Sequence, residues 1–232
     1  VTFRDVLGGV SVTGNANLVR ALIDNIDLRW EAFPNPGEVF SIGVFAKRFD
    51  RPIERVEQST SGAYQARFQN ALSATNAGVE IEVRKQLGFL GEWANAYTGF
   101  SNLTLMQSSV DLDTTGGLSV TDNSRRLVGQ APYVVNAGLT YSSASGRTNA
   151  TILYNVVGER ITAAGVLPLP NIVEKPRHVV DLSLRFPIRG SLSGRLDARN
   201  LLDARTSFMQ GNLEREGFNA GRTLSMGFSW RQ

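Results

Sequence analysis

The chain has 232 residues, 42% of them hydrophobic and 19% charged, enough apolar material for one large domain or two small ones and too much for a disordered protein. Its 24 lysines and arginines stand against 21 aspartates and glutamates, and the basic residues are scattered, so no nucleic-acid footprint is indicated. Having no cysteine, it can build neither disulfides nor thiolate metal sites nor cysteine nucleophiles, and its single histidine, His178, makes most metal and triad chemistry hard to assemble. No stretch approaches the roughly 18 consecutive apolar residues of a membrane-spanning helix, so any membrane role falls to strands. The opening residues Val1, Thr2, Phe3, Arg4 and Asp5 lack the pattern of a secretory signal, so either the protein is cytoplasmic or its front end is missing.

Along the chain the dominant signal is strict alternation. Ile26, Leu28, Trp30 and Ala32 fall on one face of an extended segment, and Asp27, Arg29 and Glu31 fall on the other. After a turn by composition at Pro34, Asn35, Pro36 and Gly37, the apolar set Phe40, Ile42, Val44 and Ala46 repeats the pattern, predicting an antiparallel hairpin. Val79, Ile81 and Val83 then oppose Glu80, Glu82 and Arg84, and a return strand runs to about Val110. Further strands are expected at 132–141, 149–161, 178–186, 192–208 and 223–231, nine in all, with residues 1–10 the end of a tenth. No helix candidate is convincing.

The connections alternate in length. Short ones fall at 34–37, 87–91, 142–147 and 187–190, and longer polar ones at 50–62, 111–124, 162–175 and 210–217. That parity describes an all-β antiparallel transmembrane β-barrel, partial, with nine or ten strands, short periplasmic turns and longer extracellular loops. Trp30, Phe33, Tyr141, Phe186, Phe228 and Trp230 cluster beside the short turns, where an aromatic girdle would lie. Core aromatics of a soluble β-sandwich are the alternative.

Several segments resemble the C-terminal barrel of TonB-dependent outer-membrane receptors. They are the run Gly14, Asn15, Ala16, Asn17, Leu18 with Ile23 to Glu31, Phe45 to Phe49 with Pro52, Ile53 and Glu54, and Phe68, Gln69, Asn70 leading to Gly78 through Glu82. Gly129 to Asn136, Tyr154 to Ile161, Asn200, Leu201, Leu202, Asp203 and the closing Gly221 to Phe228 extend the likeness over nearly the whole chain. The resemblance implies active uptake of a scarce small-molecule ligand, such as a siderophore, cobalamin, haem or carbohydrate, through a plugged barrel of roughly 22 strands. The partners it implies are outer-membrane lipid, the TonB energy-transducing complex acting through a plug, and the barrel-assembly machinery. Residues 1–232 would then be the C-terminal portion of such a receptor, without its plug domain and N-terminal strands. The last strand ends in phase at Gln232, where the family usually ends in phenylalanine.

The charged alternate set, Asp27, Arg29, Glu31, Lys47, Glu80, Glu82, Arg84, Asp181, Arg185, Arg195, Asp197 and Arg199, is expected to face the lumen and to contact a plug, line a substrate route or simply solvate the wall. Leu167, Leu169 and Ile172, around two prolines, with His178 nearby, are candidate loop contacts for a ligand, or loops packing on one another. Glu80 and Glu82 share a face, as paired-carboxylate catalysis needs, but no cleft, phosphate cradle, nucleophile elbow or metal-ligand cluster accompanies them. Neither an enzyme nor a cofactor or metal is expected. The rival readings are a soluble β-sandwich binding or adhesion module and a small passive porin whose first and last strands close on each other.

Overall fold

The computed structural model describes residues 4–7, 10–60, 63–112, 121–122 and 124–230. In chain order, β1 (Arg4–Leu7) and β2 (Val10–Thr13) precede the first long hairpin, β3 (Leu22–Ala32) and β4 (Val39–Asp50). Its turn is the predicted one, with Gly37 at φ 81°, a left-handed value that glycine adopts freely. A loop hairpin, β5 (Ile53–Thr60) and β6 (Ala63–Asn70), leads to β7 (Ser73–Gln86). Two 3-10 turns, η1 (Leu87–Leu90) and η2 (Glu92–Ala96), connect β7 to β8 (Tyr97–Asp111), whose end the two-residue β9 (Ser124–Arg125) flanks. Then follow β10 (Tyr133–Ser142), β11 (Asn149–Val157), β12 (Arg160–Ala163), β13 (Ile172–Glu174), β14 (Arg177–Arg189) and β15 (Leu192–Arg199). The chain finishes with β16 (Arg205–Gln210), β17 (Leu213–Asn219) and β18 (Thr223–Trp230).

Nine of these form one antiparallel wall in the order β3, β4, β7, β8, β10, β11, β14, β15, β18, with β9 paired to the end of β8 as the tenth member. The all-β reading of about nine or ten strands is therefore met, and every short connection falls at one rim while the long ones fall at the other. β3 and β18 do not pair, so the sheet is open and lacks the closure that a self-contained small porin requires. Nor is it a sandwich. The described residues bury little, the largest fully enclosed side chains being Val56, Val110 and Ser41, whereas two packed sheets would enclose rows of large apolar groups between them.

Three expectations need correction. β1 and β2 do not end a tenth wall strand: they pair with each other, and β2 runs parallel to β6 in a separate four-stranded sheet. Residues 1–3 and 8–9 of that expected strand, like 61–62, 113–120 and 123 of the long loops and the terminal 231–232, lie outside the described residues. The strands expected at 149–161 and 192–208 each break in two. β11 ends before Gly158, while β15 ends just before Asn200, which with Asp203 takes positive φ (54° and 49°), a conformation short polar side chains tolerate best. The continuations β12 and β16 join a third sheet, β12-β13-β16-β17, built from the third and fourth long connections.

Register carries across the wall, with a shift between Pro187 and Arg189 at the short-turn end of β14, and fixes its two faces, because directly paired residues share a side. Leu28 pairs with Val44, Val44 with Val79, Val79 with Leu105 and Leu105 with Tyr133. Farther along, Ile152 pairs with Leu182, Leu182 with Ala198 and Ala198 with Leu224 on the same side. This apolar face is uncovered: Ile26, Leu28, Leu224 and Met226 are 73%, 72%, 80% and 65% exposed.

Candidate functional site

All twelve charged positions singled out in the sequence fall on the opposite face by register. Arg29 stands across Gly43 from Glu80, and Glu31 across Ser41 from Glu82, so two small residues on β4 leave room for side chains to meet over them. Arg29 Nη2 donates to Glu82 Oε2 at 2.9 Å and Nε donates to Glu31. Asp27 accepts from Asn25. A groove of about 380 Å³ crosses these strands, lined by Asp27, Arg29, Lys47, Asn76, Glu80 and Thr104. Lys47 Nζ lies 6.0 Å from the centroid of the Phe45 ring, and Arg84 sits lower on the same face, beside the short turn at 33–38.

A second cluster forms on β14 and β15. Arg195 grips Asp197 with both nitrogens, Nε to Oδ2 at 2.8 Å and Nη2 to Oδ1 at 3.0 Å. Asp181 accepts the Asn200 N–H at 2.8 Å and holds the chain where β15 ends. Arg185 pairs in register with Arg195, like charges directly opposite, and it lines a groove of about 350 Å³ with Arg147, Ser193 and Ser229. Arg199 is the last residue of β15 and pairs with Thr223. The charged residues of the two clusters are on strands four to seven places apart in the wall, so they are neighbours of one face and not one site.

The loop candidates divide. Ile172 is buried, and Leu169 is half-buried with its carbonyl accepting from Thr121 Oγ1 at 2.5 Å. Leu167 is 57% exposed. His178 does not belong to the loops: it is the second residue of β14, on the apolar-face register, with Nδ1 2.6 Å from the Tyr154 hydroxyl oxygen and the two rings stacked.

Sequence reasoning missed the layer that these loops build. Val56, Ala71, Ala74, Val110, Leu112 and Ala164 enclose one another, with Phe49, Leu127 and Val166 against them. Phe49, Ala74 and Val110 belong to the charged-face register, so the first three long connections fold over that face at the long-loop rim. A single bridge, Val56 to Ala164, ties the first connection to the third. Inside the layer Arg125 Nη2 donates to Glu54 Oε2 at 2.9 Å, and burial pushes the Glu54 carboxyl above its ordinary range against the pull of Arg125. No pattern within one sequence marks that pair.

At the other rim the aromatics form a band on the apolar face. Trp30 and Phe40 meet edge to face at 5.9 Å, Trp93 meets Tyr97 at 6.2 Å, and Tyr97 meets Tyr141 at 5.3 Å. Phe186, Phe228 and Trp230 continue the same register at the far strands.

A family model described as TonB dependent receptor-like, beta-barrel, matches residues 2–201. A comparison with curated proteins gives no match. Among solved structures, a variant of the ferric enterobactin receptor PfeA of Pseudomonas aeruginosa is 16% identical over 98% of this chain and 34% of that one, with a TM-score of 0.63. The copper transporter OprC is 14% identical over 94% of this chain and 33% of its own, TM-score 0.64. The FrpB iron transporter of Neisseria meningitidis is 13% identical over 94% and 32%, TM-score 0.62. At such identities the likeness is one of fold, and the chain spans about a third of the length of each structure. The family model, the open nine-strand wall and its two chemically opposite faces lead to one conclusion: the chain belongs to the TonB-dependent receptor β-barrel family.

Proposed function

We propose that the chain is the C-terminal part of the wall of an outer-membrane receptor that takes up a scarce small-molecule nutrient, with energy from the TonB complex acting on a plug carried elsewhere in the receptor. The observation that carries this reading is the contrast between the faces. A contiguous row of exposed leucine, isoleucine, methionine and tryptophan is far larger than a water-soluble monomer tolerates, and hydrocarbon is the medium that suits it. The charged face, with Arg29, Glu31, Glu80, Glu82, Arg84 and Asp27 on one side and Asp181, Arg185, Arg195, Asp197 and Arg199 on the other, supports a wet lumen wall against which a plug rests. Leu167 is the loop candidate best exposed for a ligand. A catalytic role is not part of this reading.

Family membership and the names of the similar structures, a ferric enterobactin receptor, an iron transporter and a copper transporter, support metal or metal-chelate uptake as the first class to test. Cells carrying the complete receptor should accumulate a radiolabelled iron chelate, cobalamin, haem or carbohydrate, and should stop when the inner-membrane energy complex is inactivated. Uptake that continues at the same rate without that complex would mean passive diffusion and overturn the energised mode. The chain itself should require detergent in solution, and a stable monomer in plain buffer would overturn the membrane assignment.

A further inference from the structure

We propose that the two 3-10 turns between β7 and β8 are a lipid anchor, seated at the headgroup boundary of the leaflet on the short-turn side; this rests on the membrane reading above. The other short connections, 33–38, 143–148 and 190–191, take six residues or fewer and among them hold one large exposed apolar side chain, Phe33, whereas this one takes ten residues, 87–96, with Glu92 as its one charge. It presents Phe89, Leu90 and Trp93 at 70%, 54% and 71% exposure, beyond the ends of the strands. A turn that only had to reverse the chain would not need three large apolar groups in water.

Two contacts direct the segment toward the apolar face. Gly99 lies on that face, paired with Leu139, and the Leu87 methyl groups rest over it, within 4.0 Å of where a Cβ would stand. Trp93 packs edge to face on Tyr97, which packs on Tyr141, and both tyrosines belong to the apolar register. The anchor therefore continues the lipid-facing surface without a break, and that continuity selects lipid as the occupant. It is also preformed. Gly91 at φ 131° lets the chain double back, with its Cβ position 3.1 Å from the indole nitrogen of Trp93. Ala94 is fully enclosed beneath, and its N–H donates to the Gly91 carbonyl at 3.0 Å. A rigid apolar knob loses little conformational freedom on entering the interface, and an indole with one polar edge suits the boundary between headgroups and acyl chains.

The test uses the complete receptor in phosphatidylcholine vesicles whose acyl chains carry bromine near the headgroup or near the chain end. Comparison of the parent with W93F isolates the Trp93 emission, and W30F does the same for Trp30 on the wall. The expected result is a blue-shifted Trp93 component, quenched by the shallow bromine at least as strongly as the Trp30 component and less by the deep one. A Trp93 component quenched by neither lipid, beside a Trp30 component that is quenched, overturns the anchor and leaves the membrane reading standing. Loss of quenching for both residues overturns the membrane reading and the anchor with it.

Discussion

Glu54 and Arg125 are 71 residues apart in the chain and hold each other at 2.9 Å, with only 5% and 3% of their side chains exposed. The pair fastens the hairpin of the first long connection to the second. Removing one member leaves the other charge enclosed and unpaired, which costs about 3–5 kcal/mol, whereas replacing both by apolar groups of similar volume recovers most of it. Glu54→Ala should therefore lower the melting temperature and open the 121–132 segment to protease, and Glu54→Met with Arg125→Met should restore resistance. Equal cleavage of parent and single variant would show that the pair does not hold the loops.

Glu38 fastens the opposite rim. Its carboxylate accepts from Lys85 Nζ and Asn35 Nδ2, each at 2.8 Å, and from the Gln86 N–H at 3.1 Å. These bonds, that of Lys85 first, hold its carboxyl below the usual carboxylate range. A carboxylate whose folded value is depressed adds stability above its unfolded value, and that stability fades as pH falls through the depressed one. Protection of the Gln86 amide against hydrogen exchange should be steady at neutral pH and decline only in acid below the ordinary glutamate range. Glu38→Gln should remove the acid dependence.

Leu182 and Ser183 are sequence neighbours with opposite surroundings. Leu182 pairs with Ile152 and Ala198 midway up the wall, while Ser183 pairs with Thr151 and Asp197 on the charged face. Arginine at Leu182 should cost about 2–4 kcal/mol in a folded, lipid-inserted receptor, and arginine at Ser183 should be tolerated beside Asp197. Urea titration in vesicles measures both, and equal effects would refute the assignment of the faces.

Gly78 and Gly43 test close approach. A Cβ at Gly78 would meet the Phe45 ring and the Leu105 carbonyl oxygen at 2.5 Å, and the backbone oxygen cannot swing away. At Gly43 the nearest atom is 3.7 Å away, ordinary contact. Gly78→Ala should destabilise by about 1–3 kcal/mol through overpacking, and Gly43→Ala by much less, as read from the same titration.

Alternation is legible wherever a strand has one apolar and one polar face: Ile26 to Ala32, Val79 to Arg84 and Leu224 to Trp230 can be assigned, face by face, from period two alone. The loop strands cannot. In β5, Ile53 is exposed while Val56 is buried three residues later, so no apolar face repeats and the segment reads as polar loop. The breaks at Gly158 and Asn200 were hidden for another reason, because β12 and β16 resume extended structure within a few residues but in a different sheet. Asn200 and Asp203 held the readable clue, since asparagine and aspartate so close together suit positive φ. The Glu54–Arg125 pair and the loop layer around it depend on tertiary proximity that one sequence does not encode in spacing.

The order of the wall, in which each long strand lies beside the next long strand of the chain, has a consequence for how the structure is made. No strand has to be inserted between two that already pair, so the wall can lengthen from a free edge, one hairpin at a time, each addition meeting backbone groups left open by the last. The short turns keep the partners of each hairpin within a few residues, which keeps the entropy of closing them small. Growth by accretion also confines damage: a hairpin that fails to add leaves the pairing of its predecessors intact.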